Sequence, residues 1–237
     1  MKPIEARYVD GSYLRENPDW HRQDTLWKAG LVAGILIDNN VRVESICDVG
    51  CGAADVLGYL RRDFPTAKLV GFDIAPELAE FWRQHDDVTC YCGDFHQINA
   101  DSYSVLLMLD VFEHVRDPFS FLEASRPFAR FFVFHIPLDL SAVSVAQRSA
   151  LLTARRRVGH LHFYTKDLAL ETLAETGYEV IDWRYTGACF SNQTQRTWRT
   201  RILSIPRRIA FGISKDAGVR LLGGETLLVL ARTRTER

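Results

Sequence analysis

Polar and apolar positions in this chain switch repeatedly between two periods. Apolar runs at 45–48, 67–73, 87–92, 103–110, 130–136, 178–185 and 225–233 have the length of strands. Between them lie stretches with helical spacing. The first helix is predicted from a cap at Asp24 or Thr25 to about Asn39, with Leu26, Trp27, Gly30, Leu31, Gly34 and Ile35 recurring along it. Others are expected over 53–63, after Pro76, up to Ser125 behind Asp117 and Pro118, and over 166–176, where Gly177 stops the helix. The run from Tyr103 to Asp110 is apolar almost throughout, as a parallel strand covered on both faces requires. Strands alternating with helices predict an α/β chain. Residues 1–40 read as an N-terminal cover segment and helix, and 41–237 as one domain with insertions at 138–164 and 187–224.

The richest chemistry lies in Ser45 to Asp55, Ser-Ile-Cys-Asp-Val-Gly-Cys-Gly-Ala-Ala-Asp. A strand that breaks into a glycine turn and then a helix brings backbone N–H groups close to a ligand with no Cβ in the way. A dinucleotide site wants a third glycine where Asp55 stands, and Asp48 and Asp55 would repel a pyrophosphate. Next to a cationic nucleoside the same acids are attractive. Asp73 ends the second strand, 25 residues past Asp48, where it can meet a ribose diol, although dinucleotide enzymes use an acid there too. Asp94 follows the third strand and Asp110 closes the fourth. Four acids therefore fall at the carboxyl ends of four successive strands, the edge at which open α/β sheets bind ligands.

The string Asp48-Val49-Gly50-Cys51-Gly52 resembles motif I of class I S-adenosylmethionine-dependent methyltransferases, with Ala54 in place of the last glycine, a change expected to cost little. Gly93-Asp94-Phe95 resembles their adenine-holding element. Asp110-Val-Phe-Glu-His-Val115 and Gly159-His-Leu-His-Phe-Tyr-Thr165 resemble strings of small-molecule members, including the ubiquinone-biosynthesis type. Asn17 to Ala29 is similar to the N-terminal segment of methyltransferases associated with polysaccharide clusters. The resemblance, which covers about 20–233, implies a Rossmann-like methyltransferase fold: a doubly wound, seven-stranded, mostly parallel sheet with the last strand antiparallel. It implies S-adenosylmethionine as cofactor and S-adenosylhomocysteine as product, held by Asp48, Gly50, Cys51, Gly52, Asp73, Ile74, Asp94, Phe95, Leu109 and Asp110. The implied reaction is methyl transfer, here O-methylation, to a small-molecule or glycan- or lipid-linked acceptor. A non-catalytic S-adenosylmethionine-binding module and a nicotinamide-dependent reductase are the alternatives, the second disfavoured by Asp48 and Asp55.

Asp110, Glu113 and His114 also resemble the magnesium-ligand pattern of ubiquinone-type O-methyltransferases, but Asp110 is shorter than the glutamate expected, and no resident metal is expected. A weakly acidic acceptor needs a base, for which imidazole is suited near neutral pH. His114, His135 and His160 all fall at or near the carboxyl edge of the sheet, with His160 expected to contact the acceptor and His114 to serve as base.

Composition narrows the partners. With 47% apolar and 25% charged residues and a formal net charge of −1, the chain has no overall attraction for nucleic acid. The exception is 187–224, where seven cations face the single acid Asp216, and 196–220 is a candidate for peripheral membrane contact. Five cysteines form neither a zinc pattern nor a disulfide framework and read as reduced thiols. The N-terminus lacks an apolar signal region and the run from Ala29 to Ile37 is too short to span a bilayer, so a cytoplasmic protein is expected.

Overall fold

The computed structural model describes residues 9–11, 22–147, 149–187 and 210–234. Seven strands, β1 (Ser45–Val49), β2 (Lys68–Asp73), β3 (Thr89–Cys92), β4 (Tyr103–Leu109), β5 (Ala129–Leu138), β6 (Tyr178–Tyr185) and β7 (Glu225–Thr233), form one sheet in the order β3-β2-β1-β4-β5-β7-β6. The first five are parallel, and β7 runs antiparallel to both β5 and β6. This is the doubly wound, Rossmann-like methyltransferase fold. Its strand order reverses between β1 and β4, which opens a crevice at their carboxyl ends.

Helices α1 (Thr25–Asp38), α2 (Asp55–Leu60), α3 (Ala79–Trp82), α4 (Phe95–Ile98), α5 (Pro118–Ser125), α6 (Ala142–Ala146), α7 (Ala150–Thr153), α8 (Lys166–Glu175) and α9 (Lys215–Leu222) flank it. Because side chains alternate across a strand, the apolar run of β4 feeds two cores. Val105 and Leu107 pack with Val32, Ile35 and Leu36 of α1 and Leu57 and Leu60 of α2. Leu106 and Met108 pack on the other face with Phe112, Phe132, Phe134, Leu173 and Tyr178. The central strands are thus buried on both sides, which holds the loops at their ends on a rigid base.

Three departures from the sequence expectation bear on the site. Helix α2 starts at Asp55 instead of 53 because Ala54 adopts a left-handed conformation, φ 64°. That correction also revises the cost of losing the motif's last glycine, since a left-handed alanine is strained by about 1–2 kcal/mol. Strand β5 does not stop at Ile136 but runs through Pro137 to Leu138. The His135 carbonyl accepts from Asp110 N–H on the β4 side, so Pro137, two residues on, directs its missing N–H to the same side, beyond the end of β4. The expected helix from Ser141 is divided into α6, α7 and a π-helical turn, Ala154–Val158, which Gly159 closes at φ 95°. This excursion returns to the sheet end, where Leu161 and His162 N–H both donate to the Glu113 carbonyl.

Of the basic segment 196–220, residues 196–209 lie outside the described residues. In the remainder, Asp216 accepts from Lys166 and from Tyr185, while Arg220 pairs with Asp167, so α9 is fastened to α8 and β6. Cys189 also lies outside the described residues; Cys47, Cys51, Cys90 and Cys92 are free thiols. Among the described residues no helix is long and apolar enough to cross a membrane.

Candidate active site

A cavity of about 550 Å³ opens at the crevice. Every cofactor or catalytic candidate of the sequence, Asp48, Gly50, Cys51, Gly52, Asp73, Ile74, Asp94, Phe95, Leu109, Asp110, His114, His135 and His160, lines it. The two ends of this cavity are made differently.

At the end formed by β1, β2 and β3 the backbone dominates. Gly50 (φ 75°) and Gly52 (φ 53°) make the turn, and a Cβ on Gly50 would come within 2.9 Å of Val111 Cγ2. A Cβ on Gly52 would meet no protein atom within 4 Å. Gly52 N–H and Ala75 N–H both donate to the Asp73 carboxylate, at 3.0 Å each, so the acid that ends β2 also holds the turn after β1. Trp82 Nε1–H donates to the Gly52 carbonyl at 2.8 Å and braces the turn from α3. Burial raises the Asp73 carboxyl above its ordinary range, against the pull of those backbone donors. Asp48 is 2% exposed, its Oδ1 has no hydrogen-bond partner, and burial together with the Asp73 charge pushes its pKa up to about 8. Asp94 caps α4, accepting from His96 N–H at 2.9 Å. Asp55 is no longer an open negative charge: Arg22 at 2.5 Å and His85 at 3.0 Å pair with it. Burial opposes its ionisation, but these two partners outweigh burial and hold the carboxyl low.

At the end formed by β4, β5 and the 138–164 excursion, side chains dominate. Asp110, itself left-handed at φ 58°, accepts from Lys28 Nζ at 2.6 Å and pairs with His135 Nδ1 at 2.7 Å. Burial alone would raise this carboxyl, yet the His135 and Lys28 charges and hydrogen bonds hold it far below the ordinary carboxylate range. His135 Nε2 lies 2.9 Å from Thr226 Oγ1, so both of its ring nitrogens are engaged and it is poorly placed to act as base. His160 Nδ1 pairs with Asp139 Oδ2 at 2.5 Å, an arrangement that orients its ring and leaves Nε2 as its second nitrogen. His114 packs edge-on against His160, with ring centroids 4.9 Å apart. Glu113 is buried beneath them, its carboxyl pushed well up by burial first and by Asp110 second. The magnesium pattern therefore needs correction. Asp110 is committed to Lys28 and His135, and His160 replaces it beside Glu113 and His114.

A family model described as a methyltransferase domain matches residues 20–182. This chain belongs to the class I S-adenosylmethionine-dependent methyltransferases. No curated protein matches it in sequence. Among solved structures it is similar to the plantazolicin methyltransferase BpumL in complex with SAH, at TM-score 0.65 and 16% identity over 98% of this chain and 94% of that one. It is also similar to magnesium protoporphyrin IX methyltransferase from Synechocystis PCC 6803 with bound SAH, at TM-score 0.58 and 14% identity over 89% and 83%. A third is a putative methyltransferase of Haloferax volcanii in complex with the Trm112 activator, at TM-score 0.64 and 16% identity over 99% of both chains.

The methyltransferase thus uses S-adenosylmethionine and releases S-adenosylhomocysteine, and its residues fit that cofactor. The orphaned Asp48 oxygen suits a cationic group, and the space beside Gly52 is what a side chain would have filled. Lys28, Asp139 and Thr226 escaped the sequence reading. Lys28 sits in the string that resembles the N-terminal segment and was readable as a pocket residue there; Asp139 and Thr226 carry no local signal, being 21 and 91 residues from their histidine partners.

Proposed function

We propose that this methyltransferase O-methylates a weakly acidic hydroxyl of a small-molecule or glycan- or lipid-linked acceptor, with His160 as the proton acceptor. The observation that carries the reading is the Asp139–His160 pair. A carboxylate on Nδ1 selects the tautomer whose Nε2 is a lone-pair acceptor and stabilises the imidazolium that forms when a proton arrives. S-Adenosylmethionine would supply the methyl group from its sulfonium, with the neutral thioether as leaving group. Asp48, Asp73 and Asp94, with the Gly50–Gly52 turn, bind and orient the cofactor, so that much of the acceleration comes from alignment. His160 draws the acceptor hydroxyl proton, and His114, packed edge-on against it, bounds the acceptor's position. His135 is a positioning residue: with Lys28 it fixes Asp110 in its left-handed conformation. Helix α1 and the turn before it cover one side of the pocket and contribute Lys28 to it, the 138–164 insertion carries the base, and the free thiols suit a reducing, cytoplasmic setting.

The test is a panel of quinols, sugars and lipid-linked glycans, incubated with isotopically methyl-labelled S-adenosylmethionine. Label appearing on a hydroxyl oxygen supports the proposal; transfer only to nitrogen or carbon acceptors would refute O-methylation.

A further inference from the structure

Cys51 lies between the two glycines of the turn after β1, and Cys90 lies on β3, the edge strand of the sheet. Strand β2 separates them, and the residue it places at that point is Gly71, paired with Asp48 on one side and with Cys90 on the other. Gly71 has no positive φ, so space rather than backbone conformation accounts for the glycine. A Cβ there would stand 2.7 Å from Cys51 Sγ and 3.3 Å from Cys90 Sγ, and its absence lets the two thiols meet over β2 in a hydrogen bond. That bond draws the Cys90 thiol below its ordinary range, against burial and the Asp48 and Asp73 charges. The same bond, and then burial, hold Cys51 well above its own. Cys90 is half-buried and Cys51 only 7% exposed. An accessible, more acidic thiol beside a buried one is the arrangement of an attacking cysteine and a resolving one. Methyl transfer as proposed uses neither sulfur.

We infer that Cys51 and Cys90 form a peroxide-driven disulfide that pulls the glycine turn out of place and lowers affinity for the cofactor. In the first step the Cys90 thiolate attacks one oxygen of hydrogen peroxide: an S–O bond forms, the O–O bond breaks, and the departing oxygen takes up a proton, leaving a sulfenic acid. In the second the Cys51 sulfur, as its proton leaves, attacks Cys90 Sγ; the S–S bond forms and the S–O bond breaks, releasing water. The two thiols are oxidised by two electrons and hydrogen peroxide is reduced to two waters; a dithiol reverses the change. A disulfide is about 2.05 Å long, much shorter than the separation of two hydrogen-bonded thiols, so one backbone segment has to move. Strand β3 is paired along its whole length with β2, whereas the turn hangs on single hydrogen bonds, Cys51 N–H to the Phe72 carbonyl and Gly52 N–H to the Asp73 carboxylate. The turn gives way, and Gly52 N–H leaves Asp73. The loss of cofactor affinity rests on the proposed binding of the cofactor at this turn; the disulfide and the movement of Gly52 do not.

The experiment treats the reduced, cofactor-free chain with hydrogen peroxide, quenches it by alkylation and maps cross-linked peptides by mass spectrometry. A Cys51–Cys90 link, lighter by two hydrogens, is expected, with three of the five cysteines still alkylated. Hydrogen exchange at the Gly52 amide should quicken about 10-fold or more, and S-adenosylhomocysteine affinity by calorimetry should fall by a similar factor, the scale of losing one hydrogen bond to a charged group. Dithiothreitol should reverse all three. Cys90→Ser should bind S-adenosylhomocysteine like the reduced parent and keep that affinity in peroxide. Should Cys90→Ser not fold, the parent alone decides through the link and Gly52 exchange. The inference is overturned by no link, by links only between other cysteines, or by a link that leaves Gly52 exchange unchanged. It is overturned equally by a link that leaves S-adenosylhomocysteine affinity unchanged while Asp73→Ala still weakens it. Failure of the cofactor placement looks different: Asp73→Ala would leave the affinity of the reduced protein unchanged while the link and Gly52 exchange appear as expected, which would sink that placement and keep the disulfide.

Discussion

The two ends of the cavity solve the same problem by opposite means. The end formed by β1, β2 and β3, where we propose that the cofactor binds, is built from backbone: positive-φ glycines, N–H groups on Asp73, and carboxylates within two residues of a strand end. The end formed by β4, β5 and the excursion after β5, where we propose that the acceptor binds, is built from paired side chains, Asp110 with His135 and Asp139 with His160, whose partners come from distant stretches of chain. A turn and a strand end are local objects, so the first end is defined by a few contiguous residues. Charged pairs require two elements to meet, so the second depends on how the sheet and its insertion come together.

That contrast is broken most severely at the acceptor end. His160→Ala should lower single-turnover transfer to a responsive acceptor by about 10²-fold or more, the scale of a general base, while S-adenosylhomocysteine affinity by calorimetry stays within a few-fold. His114→Ala should behave in the same direction. Equal transfer rates for the parent and both variants from pH 6 to 9 would mean that the acceptor needs no base. On the other side, Asp73→Ala should weaken cofactor binding by about 1.5–3 kcal/mol, the value of a hydrogen bond to a charged group, because it removes an acid and frees the turn it holds. Unchanged calorimetric affinity would count against the role of that carboxylate.

Asp48 gives the pH dependence. Its folded pKa of about 8 lies above the unfolded value near 4, so the native protein holds a proton that the unfolded chain releases between those limits. Its contribution to stability is therefore fully present below about pH 4 and is lost as pH rises to about 8. A cationic ligand needs the ionised form, so cofactor affinity should climb with pH by up to about tenfold per unit below 8 and then level off. Calorimetry in buffers of different ionisation heat would detect the released proton, and in Asp48→Asn the proton release should be absent and the slope of melting temperature against pH should be reduced, Asp73 and Glu113 keeping their own shares. Asp94→Ala should cost about 0.5–2 kcal/mol of stability as a lost helix cap and weaken the cofactor less than Asp73→Ala does. The smallest effect is expected from Ala54→Gly. Relief of left-handed strain is offset by a more flexible unfolded chain and the loss of a buried methyl, leaving a change in unfolding free energy within about 1 kcal/mol.

Alternating periods, the glycine turn and the acids at Asp48, Asp73, Asp94 and Asp110 made the α/β fold and the location of the cavity legible from the chain, because strand ends and tight turns are determined by neighbours in sequence. The strings around Glu113-His114 and His160 marked the same edge of the sheet. What each acid does there was not legible. Asp55 and Asp110 read as open carboxylates, yet Arg22, His85, Lys28 and His135 neutralise them, and those partners are 25 to 82 residues away. Asp139 became a partner of His160 only when the excursion after β5 folded back on Glu113. Local sequence determines where the backbone turns and which residues reach the sheet edge. The charge an acid presents there and the nitrogen a histidine leaves available depend on low-dielectric, short-range pairs that exist only once distant elements have packed.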